Sequence, residues 1–304
     1  EVGSGRVRPL ASTAAAESDP LFSPDGRWIA YTASDVPAAW EGASRLQLVA
    51  AEGGTPRALA PSYDGRPNVL GWSVDGRRVF VSETHRTVSR IWTIPVEGGH
   101  VASLTPADLM VEAPALNASR THFGFTSQSA ELPVEAFAST VDTFSAVQVS
   151  RVQNLPKVNI GKTEVVEWKA PDGKSIEGLL TYPSGYQPGN RVPLLVIVHG
   201  GPAGVFLRTF TGNASPYLVA AFASRGYALL RCNVRGSSGY GRDFRYANRS
   251  DWGGGDYRDI MSGVDHLISK GIADPERMGV MGWSYGGYMT SWGVTQSKRF
   301  KAGR

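Results

Sequence analysis

Two stretches in the first half of the chain repeat one another, and the repeat limits the fold more than any other feature. Phe22-Ser-Pro-Asp-Gly-Arg-Trp-Ile-Ala-Tyr is matched by Trp72-Ser-Val-Asp-Gly-Arg-Arg-Val-Phe-Val. Downstream, Leu46-Gln-Leu-Val-Ala-Ala-Glu-Gly-Gly is matched by Ile91-Trp-Thr-Ile-Pro-Val-Glu-Gly-Gly. The Asp-Gly turns, at Asp25 and Asp75, lie 50 residues apart, and the Glu-Gly-Gly turns, at Glu52 and Glu97, lie 45 apart. A fainter third copy begins at Leu116-Asn-Ala-Ser-Arg-Thr-His-Phe-Gly-Phe, without the Asp-Gly pair. Each unit reads as short strands joined by hairpin turns. Four short strands recurring every ~40–50 residues is the pattern of β-propeller blades. One blade cannot bury both of its faces, and propellers close with roughly 4–8 of them. Residues 1–156 are therefore expected to be the last ~3 blades of a partial all-β propeller, with others upstream of Glu1.

The Trp and Phe residues of the repeats are expected to pack between blades. His85, His100 and His122 fall at strand ends or turns. None has Cys, His or Asp company at ligand spacing, so no metal is expected.

The pattern changes around Asn154–Gly161. Glu164-Val-Val-Glu-Trp-Lys-Ala, the turn Pro171-Asp-Gly and Ile176-Glu-Gly-Leu-Leu-Thr-Tyr read as an antiparallel hairpin. Leu194-Leu-Val-Ile-Val is a continuous apolar run, the kind buried on both faces of a central sheet. A helix is expected next, with Ser215 as N-cap, Pro216 in its first position and Gly226 as its stop. Tyr227–Val234 reads as the following strand. Ile260, Val264, Leu267 and Ile268 mark a helix over 256–270, with Gly271 beyond it. His266, beside Asp265, belongs to that helix and is expected to be solvated or half-buried. This alternation predicts an α/β sheet with an antiparallel edge.

The apolar residues Val280 and Met281 then lead into Gly282-Trp-Ser-Tyr-Gly286, followed by a plausible helix start. A serine in such a strand–turn–helix setting becomes an exposed nucleophile, and the turn is tight enough to require small residues two before and two after it. The pentapeptide alone is weak evidence in a chain with 36 Gly; its setting carries the reading. Ser284 would stand at the C-terminal end of the fifth strand, where α/β sheets place their sites.

Composition excludes several alternatives. With 41% hydrophobic and 19% charged residues, the 304-residue chain is of the globular class. A net charge of +4 gives no reason to expect nucleic acid or an anionic membrane as partner. The densest basic stretch, Arg231–Arg249, interleaves Arg235, Arg242, Arg245 and Arg249 with Tyr240, Phe244 and Tyr246, and is read as a charged surface loop. The single cysteine, Cys232, excludes an intrachain disulfide and reads as a buried small hydrophobe. No apolar run approaches the ~20 residues needed to span a bilayer. Neither compartment nor self-association is fixed by the sequence.

Taken together, the Asp-Gly repeats, His199-Gly-Gly-Pro202 ending a strand, Asn233-Val-Arg-Gly-Ser-Ser-Gly-Tyr-Gly and Gly282-Trp-Ser-Tyr-Gly-Gly-Tyr resemble the prolyl oligopeptidase family of serine peptidases. The nearest likeness is to its acylaminoacyl-peptidase and dipeptidyl-peptidase branch, and it runs over essentially the whole chain. The resemblance implies a propeller capping an α/β-hydrolase domain, residues 157–304, that cleaves short peptides without a cofactor. It implies Ser284 as nucleophile and the backbone N–H groups of Tyr285 and Gly201 as oxyanion donors. The second donor comes from the oxyanion loop His199-Gly200-Gly201-Pro202. Where some branches place a tyrosine that also donates, this chain has His199.

The mechanism is not complete within this sequence. Ser284 needs a base and the base needs a carboxylate, which follow the serine in α/β-hydrolases. Residues 285–304 contain no Asp, Glu or His, and all five histidines precede Ser284. The sequence is accordingly expected to be a fragment, with the sheet cut short after the nucleophile helix and inactive alone. Two rivals remain: an esterase or lipase on the same hydrolase core, disfavoured by the repeats, and a non-catalytic binding propeller, disfavoured by the intact Gly-x-Ser-x-Gly.

Overall fold

The computed structural model describes residues 3, 5, 7–155 and 159–304. The boundary expected at 156/157 lies outside the described residues. Two compact units emerge, the first comprising Glu1–His85, Ser89–Thr126 and Ala136–Val149, the second Arg86–Val88, Ser127–Glu135 and Ser150–Arg304.

The first unit's strands form three four-stranded sheets, each in chain order. The first contains β1 (Glu17–Phe22), β2 (Trp28–Ser34), β3 (Ser44–Ala50) and β4 (Arg57–Ala58). In the second are β5 (Asn68–Trp72), β6 (Arg78–His85), β7 (Val88–Pro95) and β8 (Ala102–Ser103). The third holds β9 (Glu112–Leu116), β10 (His122–Ser127), β11 (Glu135–Thr140) and β12 (Val147–Gln148).

Side chains local to each turn fix the first hairpin of every sheet. Ser23 donates to Asp25 Oδ1 at 2.6 Å, and that oxygen also accepts the Arg27 N–H at 3.1 Å. Gly26 takes the left-handed conformation at φ 71°, which only glycine adopts freely. Ser73, Asp75, Gly76 and Arg77 repeat the arrangement. These bonds hold the Asp25 carboxyl at about 2, the Ser23 hydroxyl contributing most and the Arg27 N–H next. The third copy keeps the device with different residues: Asn117 Oδ1 accepts from the N–H groups of Thr121 and His122, and Arg120 takes the positive φ.

Alternate strand residues build the cores between sheets. Ala30, Leu48, Trp72, Val79 and Ile94 form one cluster, and Phe80, Ile91, Phe123 and Phe125 another, with the Phe80 and Phe123 rings edge to face at 5.2 Å. Not every aromatic follows the expected packing, because Phe22 is 58% and Trp40 67% exposed. His85 lies against the rings of Tyr63 and Trp92, whereas His100 and His122 are exposed.

The second unit is organised on one six-stranded sheet in the order β13-β14-β16-β15-β17-β18. Its strands are β13 (Thr163–Lys169), β14 (Ser175–Thr181), β15 (Val192–Val198), β16 (Ala228–Asn233), β17 (Ala273–Gly282) and β18 (Phe300–Gly303). β13 and β14 are the expected hairpin, β14 is antiparallel to β16, and the remaining pairs are parallel. The apolar run of β15 has two destinations. Leu194, Val196 and Val198 join the cluster that includes α3 (Gly255–Ser269), while Leu195 and Ile197 join the one against α1 (Val219–Ala223). Cys232 is fully buried on the α3 side.

The helices and strands of this unit depart from the sequence reading at three places. The helix expected from Ser215 starts at Val219, because Leu218 is left-handed at φ 47° and its N–H closes a turn onto Ser215 O. Gly226, at φ 88°, does end it. A short helix not anticipated, α2 (Arg242–Tyr246), lies within the basic stretch. β17 begins at Ala273, five residues before the expected strand, where Ala273 pairs with Val192.

Trp168 joins the outer hairpin to α3, donating from Nε1 to Asp259 O at 2.9 Å. Gly263 makes room for it, since a Cβ there would stand 2.8 Å from the indole. Gly263→Val is expected to displace the indole and cost about 1–3 kcal/mol, read as a lowered urea midpoint with unchanged slope.

Candidate active site

β17 ends at Gly282 and α4 (Tyr285–Gln296) begins three residues later, so the chain reverses over Trp283 and Ser284. Ser284 accommodates the reversal at φ 57°, ψ −118°. For a residue with a Cβ this costs about 1–3 kcal/mol and persists only where the surroundings enforce it. The enforcement is backbone against backbone. A Cβ on Gly282 would stand 2.4 Å from Gly286 C and O, and one on Gly286 would stand 2.1 Å from Val198 O. Ser284 and Trp283 are left exposed at the C-terminal edge of the sheet.

The neighbouring strand delivers the second component. β15 pairs with β17 in a register that sets Val198 opposite Gly282, so the chain leaving β15 meets the elbow. A Cβ on Gly200 would lie 3.3 Å from Trp283 O and 3.5 Å from Ser284 Cβ. Gly201 turns at φ 131°, where a side chain would meet the N atoms of Ala203 and Gly204 at 2.5 Å. Pro202 beside it is buried.

His199, 4% exposed, braces this loop from below. Its Nδ1 is 2.8 Å from Gly200 O and its Nε2 is 2.8 Å from Ser237 Oγ. Burial pushes its pKa down to about 4, so the ring is neutral near pH 7. Ser237 Oγ also lies 2.6 Å from Val234 O, and its one proton serves either that carbonyl or the ring. Both ring nitrogens of His199 are thus engaged, one with Gly200 of this loop and one with Ser237 after β16, rather than with Ser284.

Tyr285 opens α4, so its N–H is among the first four of the helix, which have no intrahelical acceptor. Its side chain runs the other way, into the protein. The hydroxyl donates to Asp256 Oδ2, and Asp256 Oδ1 accepts from the N–H groups of Gly253 and Tyr257 at 2.8 Å each. The Trp252 ring meets Tyr285 edge to face at 5.4 Å. Asp256 is fully buried, which raises its pKa, and burial together with the Asp256 carboxyl raises that of the phenol. Sequence reasoning missed Asp256, although an acidic residue in the first turn of a helix is a recognisable signal.

The charged surface loop expected over Arg231–Arg249 is corrected by the structure. Arg231, Arg235 and Arg245 are 4%, 6% and 1% exposed. Arg235 spans two carboxylates: Nε and Nη2 donate to Asp259, at 2.9 and 2.6 Å, while Nη1 and Nη2 reach Asp172 at 2.7 and 3.1 Å. The fork ties the β13–β14 turn to α3 beneath the loop, a use for arginine that charge density alone does not disclose.

A family model described as the prolyl oligopeptidase family matches residues 213–304. A dipeptidyl aminopeptidase, BIII, of Pseudoxanthomonas mexicana is 30% identical over 203 residues, 64% of this chain and 28% of that protein. The peptidase YuxL of Bacillus subtilis is 40% identical over 140 residues, 46% of this chain and 20% of its own length. Residues 213–304 belong to the prolyl oligopeptidase family. Among solved structures, an acylaminoacyl peptidase of Pyrococcus horikoshii shares the fold at a TM-score of 0.73 and 24% identity, over 92% of this chain and 43% of that one. A puromycin-hydrolysing peptidase of Mycobacterium tuberculosis does so at 0.71 and 22%, over 97% and 54%. The chain thus spans between about a fifth and about a half of the proteins it matches here. Among the described residues no cluster of three His, Cys, Asp or Glu could hold a metal, and His266 stays half-buried on α3.

Tyr285→Phe removes the phenol from a buried carboxyl and is expected to cost about 1–3 kcal/mol of stability. Because the folded pKa of Asp256 is raised, its contribution is present below pH ~4 and is lost as pH rises through the folded value. The stability of the wild type relative to Asp256→Asn should therefore fall with rising pH, measured by urea unfolding from pH 3 to 8.

Proposed function

We propose that this chain carries the nucleophile and the oxyanion donors of a serine peptidase acting on short peptides. The observation that carries the reading is Ser284, exposed and held at φ 57° at the C-terminal end of β17, with Gly200 so near that a side chain there would reach its Cβ at 3.5 Å. Ser284 Oγ attacks the scissile carbonyl carbon while a base takes its proton. The N–H groups of Tyr285 and Gly201 donate to the resulting oxyanion. Collapse expels the amine, which receives the proton, and leaves an acyl group on Ser284 for water to remove. The positive end of α4 points at the same oxygen. No step calls for a metal or cofactor.

His199 does not supply the base, since its ring nitrogens are committed to Gly200 and Ser237. Residues 285–304 offer neither the base nor its carboxylate, so these 304 residues are expected to be without turnover by themselves. The three four-stranded sheets of residues 1–156 are read as propeller blades, as the 45- and 50-residue spacings suggest. The names of relatives, a dipeptidyl aminopeptidase and an acylamino-acid-releasing enzyme, support short peptides as the substrate class.

Expressed from its complete coding sequence, the protein should release nitroaniline from aminoacyl or dipeptidyl nitroanilides and take up a fluorophosphonate on Ser284. Ser284→Ala should abolish labelling and lower turnover by about 10⁴-fold or more. Turnover that survives Ser284→Ala overturns the assignment. Robust turnover by the 304 residues alone, lost in Ser284→Ala, would sink the inference that they lack a base.

A further inference from the structure

β16 contains a residue that its surroundings do not explain. Its neighbours alternate between two apolar clusters, Leu230 and Cys232 on the α3 side and Leu229 on the other. Arg231 falls on the Leu229 face, 4% exposed, among apolar residues. A buried guanidinium is costly unless its donors are paired. Arg235, four residues on, shows what pairing looks like, with two carboxylates on its fork. Arg231 has nothing equivalent. Its Nη2 is 3.5 Å from Thr181 Oγ1, its guanidinium lies 6.0 Å from the Phe206 ring centroid, and its Nε is buried with no hydrogen-bond partner. The acidic group that acts on it, Glu131, is exposed and accepts the Thr163 N–H at 2.8 Å.

Arg231 lines a cavity of about 370 Å³ beside the segment between β15 and α1. The other walls include Gln128, Phe206, Thr211, Asn213 and Tyr217. The volume is that of a small-molecule site, and the mixture of aromatic walls, a few hydroxyl and amide groups and one cation is typical of one. A guanidinium matches a carboxylate bidentately, two parallel N–H···O bonds to two oxygens. The wall also comes near the elbow, since the Trp283 backbone acts on the Tyr217 hydroxyl and partly offsets the rise that burial gives its pKa.

We propose that this cavity is a carboxylate-binding site, with Arg231 as the cation that pairs with the ligand. Its occupant is a small carboxylate, either a free acid or the C-terminal carboxylate of a short peptide. The site itself stands apart from the peptidase reading; only the peptide source rests on it.

The test is calorimetric titration of the protein with acetate, with N-acetyl-dialanine and with N-acetyl-dialanine amide. The acid is expected to bind saturably and the amide about tenfold or more weakly, the loss of one charge-assisted pair. Arg231→Met should abolish the difference between acid and amide. Asn213→Trp, an exposed position at the cavity wall, should block binding while leaving Arg231 and the far-UV circular dichroism unchanged; it decides the matter if Arg231→Met fails to fold. Acetate binding as tightly as the peptide acid keeps the site and assigns it to free acids. Equal binding of acid and amide, no binding of either acid, or wild-type binding by Arg231→Met or Asn213→Trp overturns the proposal. Fluorophosphonate labelling of Ser284, followed separately, reports on the peptidase reading whatever the titrations give.

Discussion

The second unit depends on one place where backbone touches backbone with no side chain between. At Gly282, Gly286 and Val198 the end of β17, the start of α4 and the end of β15 converge to distances that exclude a Cβ. That contact does two things at once. It forces the residue between the glycines into a conformation it would not choose, and it brings the chain leaving β15 alongside. The exposed serine and the glycine loop facing it are consequences of one packing constraint.

Around this contact the sheet edge is held by buried polar groups rather than by more apolar packing. Asp256 grips Tyr285, and Arg235 joins Asp172 to Asp259. Glu177, 3% exposed, takes the Tyr240 hydroxyl and an ion pair from Arg86. Asn233 binds both backbone groups of Phe206 and reaches Tyr240. Loops at the end of a sheet carry backbone N–H and C=O groups with no ladder to join, and burying them requires side-chain partners. Each network is satisfied in a specific geometry, which makes the loops rigid.

What could be read from the sequence was whatever is written locally. The hairpin before β15, the apolar run of β15, the periodicity of α3 and the glycine spacing about Ser284 each need only a short window. The buried arginines were illegible for the opposite reason. Arg235 is read as surface from its neighbours, and its partners, Asp172 and Asp259, are 63 and 24 residues away in the chain. Asp256 was hidden in the same way, its significance resting on a phenol 29 residues downstream. Leu218 defeated the helix start because nothing in a leucine announces a left-handed backbone.

The self-contained turns of the first unit bear on the order in which it assembles. At Ser23–Trp28 and Ser73–Arg78 every bond that closes the reversal joins residues at most five apart. Closing so short a loop sacrifices little chain entropy, and isolated hairpins form within about 1–10 μs. Contacts such as Gly71 against Leu116 bridge far longer stretches and arrive later. Each sheet thus carries its own nucleus, an embryonic hairpin that can hold its register before any neighbour exists to pack against it.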